Sequence, residues 1–240
     1  MSDEGEPHKP FDTRAPDYQS QLARGLRLSG ESKEYFARAR LSHLRAFWAA
    51  AGRPEPATVI DYGCGVGDVT VLLAEAFPNA RVLGVDPSKR FVEQARASLA
   101  SDRVDFLQLE GYARIAAGPA ALVHLNGVVH HVPQQERPEF FRALHACVAP
   151  GGVVALFDNN PWNPGTHLVM RRIPFDRGVL PVPAGRVVRH LEAARLRLLH
   201  KSYLFYFPAA LHFLRSLEPG LESLPLGAQY ALYAERAARG

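Results

Sequence analysis

The chain has 240 residues, of which 47% are hydrophobic and 22% are charged, and its formal net charge at neutral pH is +4. These proportions are ordinary for a globular protein, and the length suits one domain with a substantial core. The 28 lysines and arginines, of which only four are lysines, are dispersed along the chain. They form no basic tract of the length that a nucleic-acid-binding segment would need.

Cysteine content and apolar runs favour a reducing, aqueous compartment. Two cysteines, Cys64 and Cys147, are too few for a disulfide framework. Residues 1–6 are acidic and polar, unlike a signal peptide. The apolar run at 203–211 is too short to span a bilayer and contains Pro208. We therefore expect a cytoplasmic protein with no stable membrane insertion.

The first part of the chain is predicted to be a tail followed by two helices. Residues 1–10 are polar and contain proline, which is typical of a disordered tail. Residues 11–52 carry two helical patterns, divided near Gly30, and the second keeps much of one face apolar. Because these helices precede the first strand, they could cover the mouth of a ligand site. We treat 11–240 as a single domain, with 53–240 as its core.

A glycine-rich turn follows the first predicted strand. The strand ends at Asp61 and runs into Gly63, Gly65 and Gly67, and an apolar helical pattern begins directly after them. Glycines allow a backbone to turn tightly and to approach a ligand closely. A nucleotide-binding α/β unit is the first interpretation, and a turn without a ligand is its alternative. The dinucleotide fingerprint requires G-x-G-x-x-G, which this spacing lacks.

The rest of the chain alternates between strand-length apolar runs and helical patterns. This alternation predicts a parallel sheet covered by helices. Further strands are predicted at 81–86, 104–109, 121–126, 153–157, 197–207 and 227–234. Helices are predicted at 68–77, 87–99, 138–148, 184–195 and 209–217, with Pro87 at the first position of the second.

Two motifs give the chain a family resemblance. The acidic-x-G-x-G-x-G pattern at 61–67 resembles motif I of the class I S-adenosylmethionine-dependent methyltransferases, and Pro150-Gly151-Gly152 before the fifth strand is similar to the same family. S-adenosylmethionine has no pyrophosphate, and its amino-acid end carries an ammonium that Asp61 can attract. The resemblance implies a Rossmann-like α/β fold: a seven-stranded, mostly parallel sheet closed by an antiparallel pair, with N-terminal lid helices.

The loop after the fifth strand narrows the resemblance. Its two Asn-Pro turns at 158–165 are similar to those of small bacterial class I methyltransferases of uncharacterised substrate, which share the motifs at 174–176 and 224–230. Those proteins often carry Glu and His where this chain has Asp158 and Asn159. If their histidine is catalytic, its role here is lost or passed to His130 or His131. The Asn-Pro-Pro-Tyr motif of nucleobase methyltransferases follows the fourth strand instead, so we reject a nucleic-acid substrate.

The resemblance implies a binding site for S-adenosylmethionine beyond the carboxyl ends of the strands. Asp86 is predicted to accept hydrogen bonds from both ribose hydroxyls, with a plain helix N-cap as the alternative. Glu110 stands where the family has an acid that bonds the adenine amino group, or is a solvated loop residue. The resemblance also implies that Tyr18 lies near the cofactor, with simple packing of its helix on the core as the alternative. The predicted set is Tyr18, Asp61, Gly63, Cys64, Gly65, Gly67, Asp86, Pro87, Ser88, Glu110, Gly111, Tyr112, Asn126, Gly127 and Val128.

His130 and His131, which follow the fourth strand, are the predicted catalytic residues. Histidine titrates near neutral pH and can take a proton from a hydroxyl or ammonium group, although both rings could simply pack the turn. No metal is predicted, because adjacent histidines need further ligands at a recognisable spacing. His124 lies in mid-strand and Cys147 on an apolar helix face, so both are interpreted as core residues.

These observations predict methyl transfer from S-adenosylmethionine to a small molecule by in-line displacement, with oxygen slightly preferred as the acceptor. A non-catalytic scaffold or regulator that binds the same cofactor is the alternative, and a nicotinamide oxidoreductase is third. We expect a monomer or homodimer. An aromatic cluster is predicted to be mostly core, or otherwise a lipophilic substrate wall: Tyr203, Phe205, Tyr206, Phe207 and Phe213.

Overall fold

The computed structural model describes residues 29–112, 118–172 and 179–238. Tyr18 and the first helix predicted within 11–52 lie outside these ranges. The strands are β1 Thr58–Tyr62, β2 Arg81–Asp86, β3 Val104–Gln108, β4 Ala120–Asn126, β5 Val148–Asn159, β6 Leu196–Leu204 and β7 Gln229–Arg236. They form one sheet in the order β3-β2-β1-β4-β5-β7-β6.

Helices connect most of these strands. They are α1 Lys33–Ala50, α2 Asp68–Ala76, α3 Lys89–Leu99, α4 Arg137–Cys147, α5 Pro164–Arg172, α6 Ala184–Ala193 and α7 Glu218–Leu221. Two 3-10 helices lie at Val129–His131 and Ala209–Leu217. Within the described ranges, none of the helices combines the length and the apolar character needed to span a bilayer.

The strand directions confirm the predicted sheet. Strands β1 to β5 pair in parallel, whereas β7 pairs antiparallel with both β5 and β6. The order reverses between β1 and β4, which lie side by side although β2 and β3 separate them in the sequence. In an open parallel sheet, ligands bind at such a reversal, beyond the carboxyl ends of the strands.

Each face of the sheet buries its own core, because successive residues of a strand point to opposite faces. Val59 belongs to a core that includes residues of α1, α2 and α3, whereas the next residue, Ile60, belongs to a core that includes residues of α4 and α6. Burial on both faces explains why the central strands read as continuous apolar runs rather than alternating ones.

Helix α5 was not predicted, although its start has a recognisable signal. Asn163 Oδ1 accepts a hydrogen bond from the Thr166 backbone N–H at 3.1 Å, and Pro164 is the first helical residue. This is the N-cap asparagine and first-turn proline arrangement that favours helix initiation.

Several predicted boundaries were wrong by a few residues. β5 begins at Val148 rather than 153, because the residues around the glycine pair continue its pairing with β4 across a register shift. Helix α3 begins at Lys89 with Ser88 as N-cap, so Pro87 precedes the helix. The short helix predicted at 209–217 has the predicted bounds and is a 3-10 helix.

Gly67→Ala is expected to lower the free energy of unfolding by about 2–5 kcal/mol. Gly67 has a φ of +87°, and a Cβ there would lie 2.7 and 2.8 Å from two ring carbons of Phe106. Backbone strain of about 1–2 kcal/mol and overpacking of about 1–3 kcal/mol therefore add. Gly65→Ala is the matched control, since Gly65 also has a positive φ but a Cβ there would meet no atom within 4 Å. Denaturant unfolding without ligand measures both; equal losses would mean that the Phe106 ring moves aside without cost.

Candidate cofactor and substrate site

A cavity of about 480 Å³ lies at the carboxyl ends of β1, β4 and β5. It occupies the place where the strand order reverses, and its volume is typical of small-molecule sites. Residues of α1, α5 and the segment after β6 complete its walls. Eight predicted site residues line it: Asp61, Gly63, Cys64, Gly65, Asn126, Gly127, His130 and His131.

The glycine loop is tied to β2 by hydrogen bonds. The backbone N–H groups of Gly63 and Cys64 donate to the Val85 carbonyl at 2.8 and 3.0 Å, and the Gly65 N–H donates to Asp86 Oδ2 at 2.8 Å. With no atom within 4 Å of a Cβ position at Gly65, a ligand can approach this backbone directly. Burial, with the nearby carboxylates, raises the pKa of the Cys64 thiol, so it is a neutral packing residue rather than a nucleophile.

Asp61 and His124 form a buried pair at the base of the cavity. They are opposite each other in the register of β1 and β4, and they are 3% and 0% exposed. His124 Nδ1–H donates to Asp61 Oδ1 at 2.8 Å, and the Thr70 hydroxyl donates to Oδ2 at 2.7 Å. The prediction that His124 is a buried, hydrogen-bonded residue is confirmed by its bond to Asp61, although its ring also lines the cavity.

Two buried acceptor atoms of cavity residues have no hydrogen-bond partner within the part of the chain that the structure describes. They are His124 Nε2 and Asn126 Oδ1. When the neutral His124 ring donates its Nδ1–H to Asp61, its Nε2 has a lone pair. A buried polar atom without a partner costs about 1–3 kcal/mol. Both atoms are therefore suited to a ligand group that donates hydrogen bonds.

Arg40 of α1 places a buried guanidinium in the same cavity. It is 6% exposed, and its Nη1 donates to Gln229 Oε1 at 3.0 Å. Burial lowers the pKa of Arg40 to about 10 and the Asp61 carboxylate opposes this effect, so the group stays charged at neutral pH. A buried charge is costly unless it is paired. Since Asp61 is already bonded to Thr70 and His124, an anionic ligand group would complete the pairing of Arg40.

His130 and Asp158 form a second buried pair on the cavity wall. His130 Nδ1–H donates to Asp158 Oδ1, and the His130 backbone N–H donates to Oδ2 at 3.3 Å. A carboxylate on Nδ1 fixes the orientation of an imidazole and leaves Nε2 as its basic nitrogen. His131 lies beside it, with ring centroids 4.2 Å apart, and also lines the cavity. The structure thus gives the two histidines different surroundings.

Aromatic side chains form another part of the cavity wall. Phe36 packs edge-on against Phe205, with ring centroids 4.9 Å apart. Phe205 has a φ of +65° directly after β6 ends, which turns the following residues toward the cavity. The predicted aromatic cluster therefore divides into one core residue, three cavity residues and one exposed residue: Tyr203, then Phe205, Tyr206 and Phe207, then Phe213.

The remaining predicted cofactor residues within the described ranges do not line this cavity. They are Gly67, Asp86, Pro87, Ser88, Glu110, Gly111, Tyr112 and Val128. The Tyr112 hydroxyl donates to Glu136 Oε2 at 2.8 Å. The Asp86 carboxylate contacts the glycine loop, because it accepts the hydrogen bond from the Gly65 backbone N–H. It also accepts a hydrogen bond from the Ser88 backbone N–H at 2.9 Å. The alternative that Asp86 is the helix N-cap is wrong, because Ser88 holds that position.

Two polar residues of the site were missed by sequence reasoning. Asp158 was noted only as a departure from related proteins, although it lies at the end of β5, where the strand-end rule places functional groups. Nothing in the sequence marked Arg40 as a site residue, because an arginine that will be buried on a helix cannot be distinguished in the sequence from one that is exposed to solvent. The prediction for Cys147 as a small core residue is confirmed, since it is buried in the core beside α6.

Fold and glycine-loop geometry together define a class of protein. Residues 59–152 match the family model for a methyltransferase domain. The chain belongs to the class I S-adenosylmethionine-dependent methyltransferases. It is 33% identical over 174 residues to a trans-aconitate 2-methyltransferase of Azoarcus sp. strain BH72, an alignment that covers 68% of this chain and 66% of that relative. Alignments with the next four relatives, which have the same name, span about half of their length, 45–54%.

Solved structures agree on the fold. The [4+2]-cyclase SpnF superimposes with a TM-score of 0.69 at 13% identity, over 98% of both chains. The magnesium protoporphyrin IX methyltransferase of Synechocystis PCC 6803, solved with bound SAH, has a TM-score of 0.62 at 17% identity, over 97% of this chain and all of the other. The predicted Rossmann-like fold is confirmed. One of the two is named a cyclase, so the reaction has to be argued from the site rather than from the fold.

Proposed function

We propose that this protein transfers a methyl group from S-adenosylmethionine to an oxygen atom of a small molecule, with His130 as the general base. The observation that supports this most is the buried His130–Asp158 pair, because it borders the same cavity as the glycine loop. A base near the ligand, oriented by a carboxylate, is the arrangement that proton removal requires. Bound S-adenosylmethionine supplies the electrophilic methyl carbon on its sulfonium sulfur.

The cavity has groups that complement the amino-acid end of this cofactor. An ammonium donates up to three hydrogen bonds, and His124 Nε2 and Asn126 Oδ1 are buried acceptors that lack partners within the described ranges. A carboxylate needs a cation, and Arg40 is a buried one beside the acidic end of β1. We assign these three residues to the amino-acid end and retain Asp86 as the proposed ribose partner.

The acceptor would occupy the part of the cavity between the histidines and the aromatic wall. His130 Nε2 would take the proton of a hydroxyl group as its oxygen attacks the methyl carbon, and Asp158 would stabilise the resulting imidazolium. The rings of Phe36, Phe205 and Phe207 would contact an apolar body. A hydroxyl on an apolar or aromatic small molecule is therefore the acceptor that we propose.

A second candidate is a carboxylate acceptor, favoured by the relatives named trans-aconitate 2-methyltransferase. A carboxylate of such an acid is already ionised at neutral pH, so its oxygen can attack without a base. In that case the product is a methyl ester and the His130–Asp158 pair has no proton to remove.

A panel of acceptors separates these reactions. The purified protein is incubated with S-adenosylmethionine and trans-aconitate, aliphatic hydroxy acids or phenols, and both the demethylated cofactor and the mass of each product are measured. A methyl ether supports the hydroxyl acceptor, and a methyl ester supports the carboxylate acceptor. Tight cofactor binding without turnover for any member of the panel would favour a non-catalytic scaffold.

S-adenosylmethionine and its demethylated product are each expected to raise the melting temperature, whereas NAD is not. A ligand at 100 times its Kd stabilises a protein by about 2.7 kcal/mol, which for a chain of this length corresponds to roughly 5–11 °C. Differential scanning fluorimetry over a range of ligand concentrations measures the shift. An equal shift with NAD, or no shift with any of the three, would contradict the assignment of the cofactor site.

A further inference from the structure

We propose that His43, His200 and Glu222 form a binding site for a transition-metal dication, with Zn²⁺ as the best fit. One ligand atom from each side chain lies within 4.8 Å of the other two. The residues come from α1, β6 and the position directly after α7. None of them lines the cavity described above, so this site is distinct from the one proposed for methyl transfer.

The distances are close to those of a metal-bound set. Metal–ligand bonds of about 2.0–2.2 Å in a tetrahedral site place two ligand atoms about 3.3–3.6 Å apart. His43 Nε2 and Glu222 Oε1 are 3.7 Å apart. The His200 ring is exposed and can turn about its side-chain bonds, so the third ligand can close the remaining gap without a change in the backbone.

His43 is already held in the orientation that a metal ligand needs. Its Nδ1 is 2.6 Å from the Tyr233 hydroxyl, and the two rings stack with centroids 5.7 Å apart. Metal-bound histidines typically donate their second ring N–H to an oxygen, which fixes the ring and leaves the other nitrogen for the metal.

Ser202 occupies the metal-facing nitrogen in this structure. Its Oγ lies 3.0 Å from His43 Nε2, where its hydroxyl can donate a hydrogen bond. A bound metal would replace this contact, and the serine could then turn toward Glu222 or a metal-bound water. The exchange costs one neutral hydrogen bond, whose net contribution is small.

The donor set selects the class of metal. Two imidazole nitrogens and one carboxylate oxygen suit Zn²⁺ and neighbouring divalent ions such as Co²⁺, whereas the lack of a thiolate disfavours Cu(I). With only three protein ligands and His200 exposed, a water would complete the tetrahedron. Because Arg40 lies one turn before His43 on α1, a bound metal would also fix the helix that carries this cavity residue.

Metal titration of the untagged 240-residue chain tests the proposal. After treatment with a chelator, the protein is titrated with Zn²⁺ by calorimetry and with Co²⁺ by visible absorption, whose intensity reports tetrahedral coordination. We expect one equivalent to bind. His200→Ala and Glu222→Gln should each weaken Zn²⁺ binding about 100-fold or more, since loss of a direct ligand costs at least as much as the roughly 10–100-fold typical of supporting groups. His212→Ala, which removes an exposed histidine outside the cluster, should bind like the parent.

Tyr233→Phe gives an independent readout, because it keeps the ring stack and removes only the hydroxyl that contacts His43. It should weaken Zn²⁺ binding by roughly 10–100-fold while leaving the absorption spectrum of bound Co²⁺ tetrahedral. Circular dichroism checks that each variant is folded. Absence of binding, or Zn²⁺ affinity unchanged in both His200→Ala and Glu222→Gln, would overturn the proposal. Methyl transfer is not the readout, so this failure would leave the proposed function untouched.

Discussion

His130→Ala is expected to lower kcat for a hydroxyl acceptor by about 10²–10⁴-fold, which is the usual contribution of a general base. The Kd for S-adenosylmethionine should change little, because the residues that we assign to its amino-acid end lie on β4 and α1. Release of demethylated cofactor gives kcat, and calorimetry with the cofactor alone gives Kd. The split between the two quantities distinguishes a base from a residue that merely shapes the pocket.

The control for this variant is His131→Ala, which removes the neighbouring ring of the same chemistry. The proposed base is His130, whose ring is bonded to Asp158, so loss of the His131 ring should affect kcat much less. Because His130→Ala leaves Asp158 buried without its imidazole partner, His130→Gln serves as a second variant that retains an N–H donor. A fall in kcat for His131→Ala alone would reverse the assignment. Normal turnover of both His130 variants would exclude a base at this position.

Asp158 should act as a positioning residue, and its signature is a change in pH dependence. Asp158→Asn removes the charge that stabilises a protonated His130, so the acid limb of the pH–rate profile should move to lower pH while the maximal rate falls. A role in packing alone would lower thermal stability without moving this limb.

The sequence contained enough information to predict the fold and the glycine loop that we propose binds the cofactor. The spacing of Gly63, Gly65 and Gly67 encodes backbone geometry, and backbone geometry depends on a few adjacent residues. The same holds for the alternation of strands and helices, because burial on both faces of a parallel sheet leaves a local apolar signature. The position of Asp86 at the end of β2 could be predicted in the same way, because the end of an apolar run and its distance from the glycines are both local features of the sequence.

Polar pairs between distant segments could not be read from the sequence. Arg40 meets Gln229 across 189 positions, and His130 meets Asp158 across 28. Local pattern cannot reveal such partners, because the sheet topology brings them together. His124 was predicted to be only a core residue, because it lies within an apolar strand. It also lines the cavity, because β4 is one of the two strands between which the strand order reverses.

Asp86→Ala is expected to weaken binding of S-adenosylmethionine by about 10²-fold or more. Hydrogen bonds to a charged group contribute about 1.5–3 kcal/mol each, and the carboxylate is proposed to bind both ribose hydroxyls. It also accepts the Gly65 N–H at 2.8 Å, so its loss loosens the loop. Asp105→Ala is the matched control, because it removes an equal charge from an exposed position of β3, where the carboxylate contacts Arg96 rather than the loop. Calorimetry with each variant gives the two Kd values.

The two roles of Asp86 can be separated with a ligand that lacks one of the hydroxyls. If the carboxylate binds the ribose, the 2′-deoxy form of the demethylated cofactor should bind the parent protein much more weakly than the natural ligand does. The Asp86→Ala variant should then discriminate far less between the two ligands, because the partner of the missing hydroxyl is already gone. Equal discrimination in parent and variant would show that Asp86 acts only through the loop. In that case its bonds to Gly65 and Ser88 are its whole contribution, and the ribose is held by other groups.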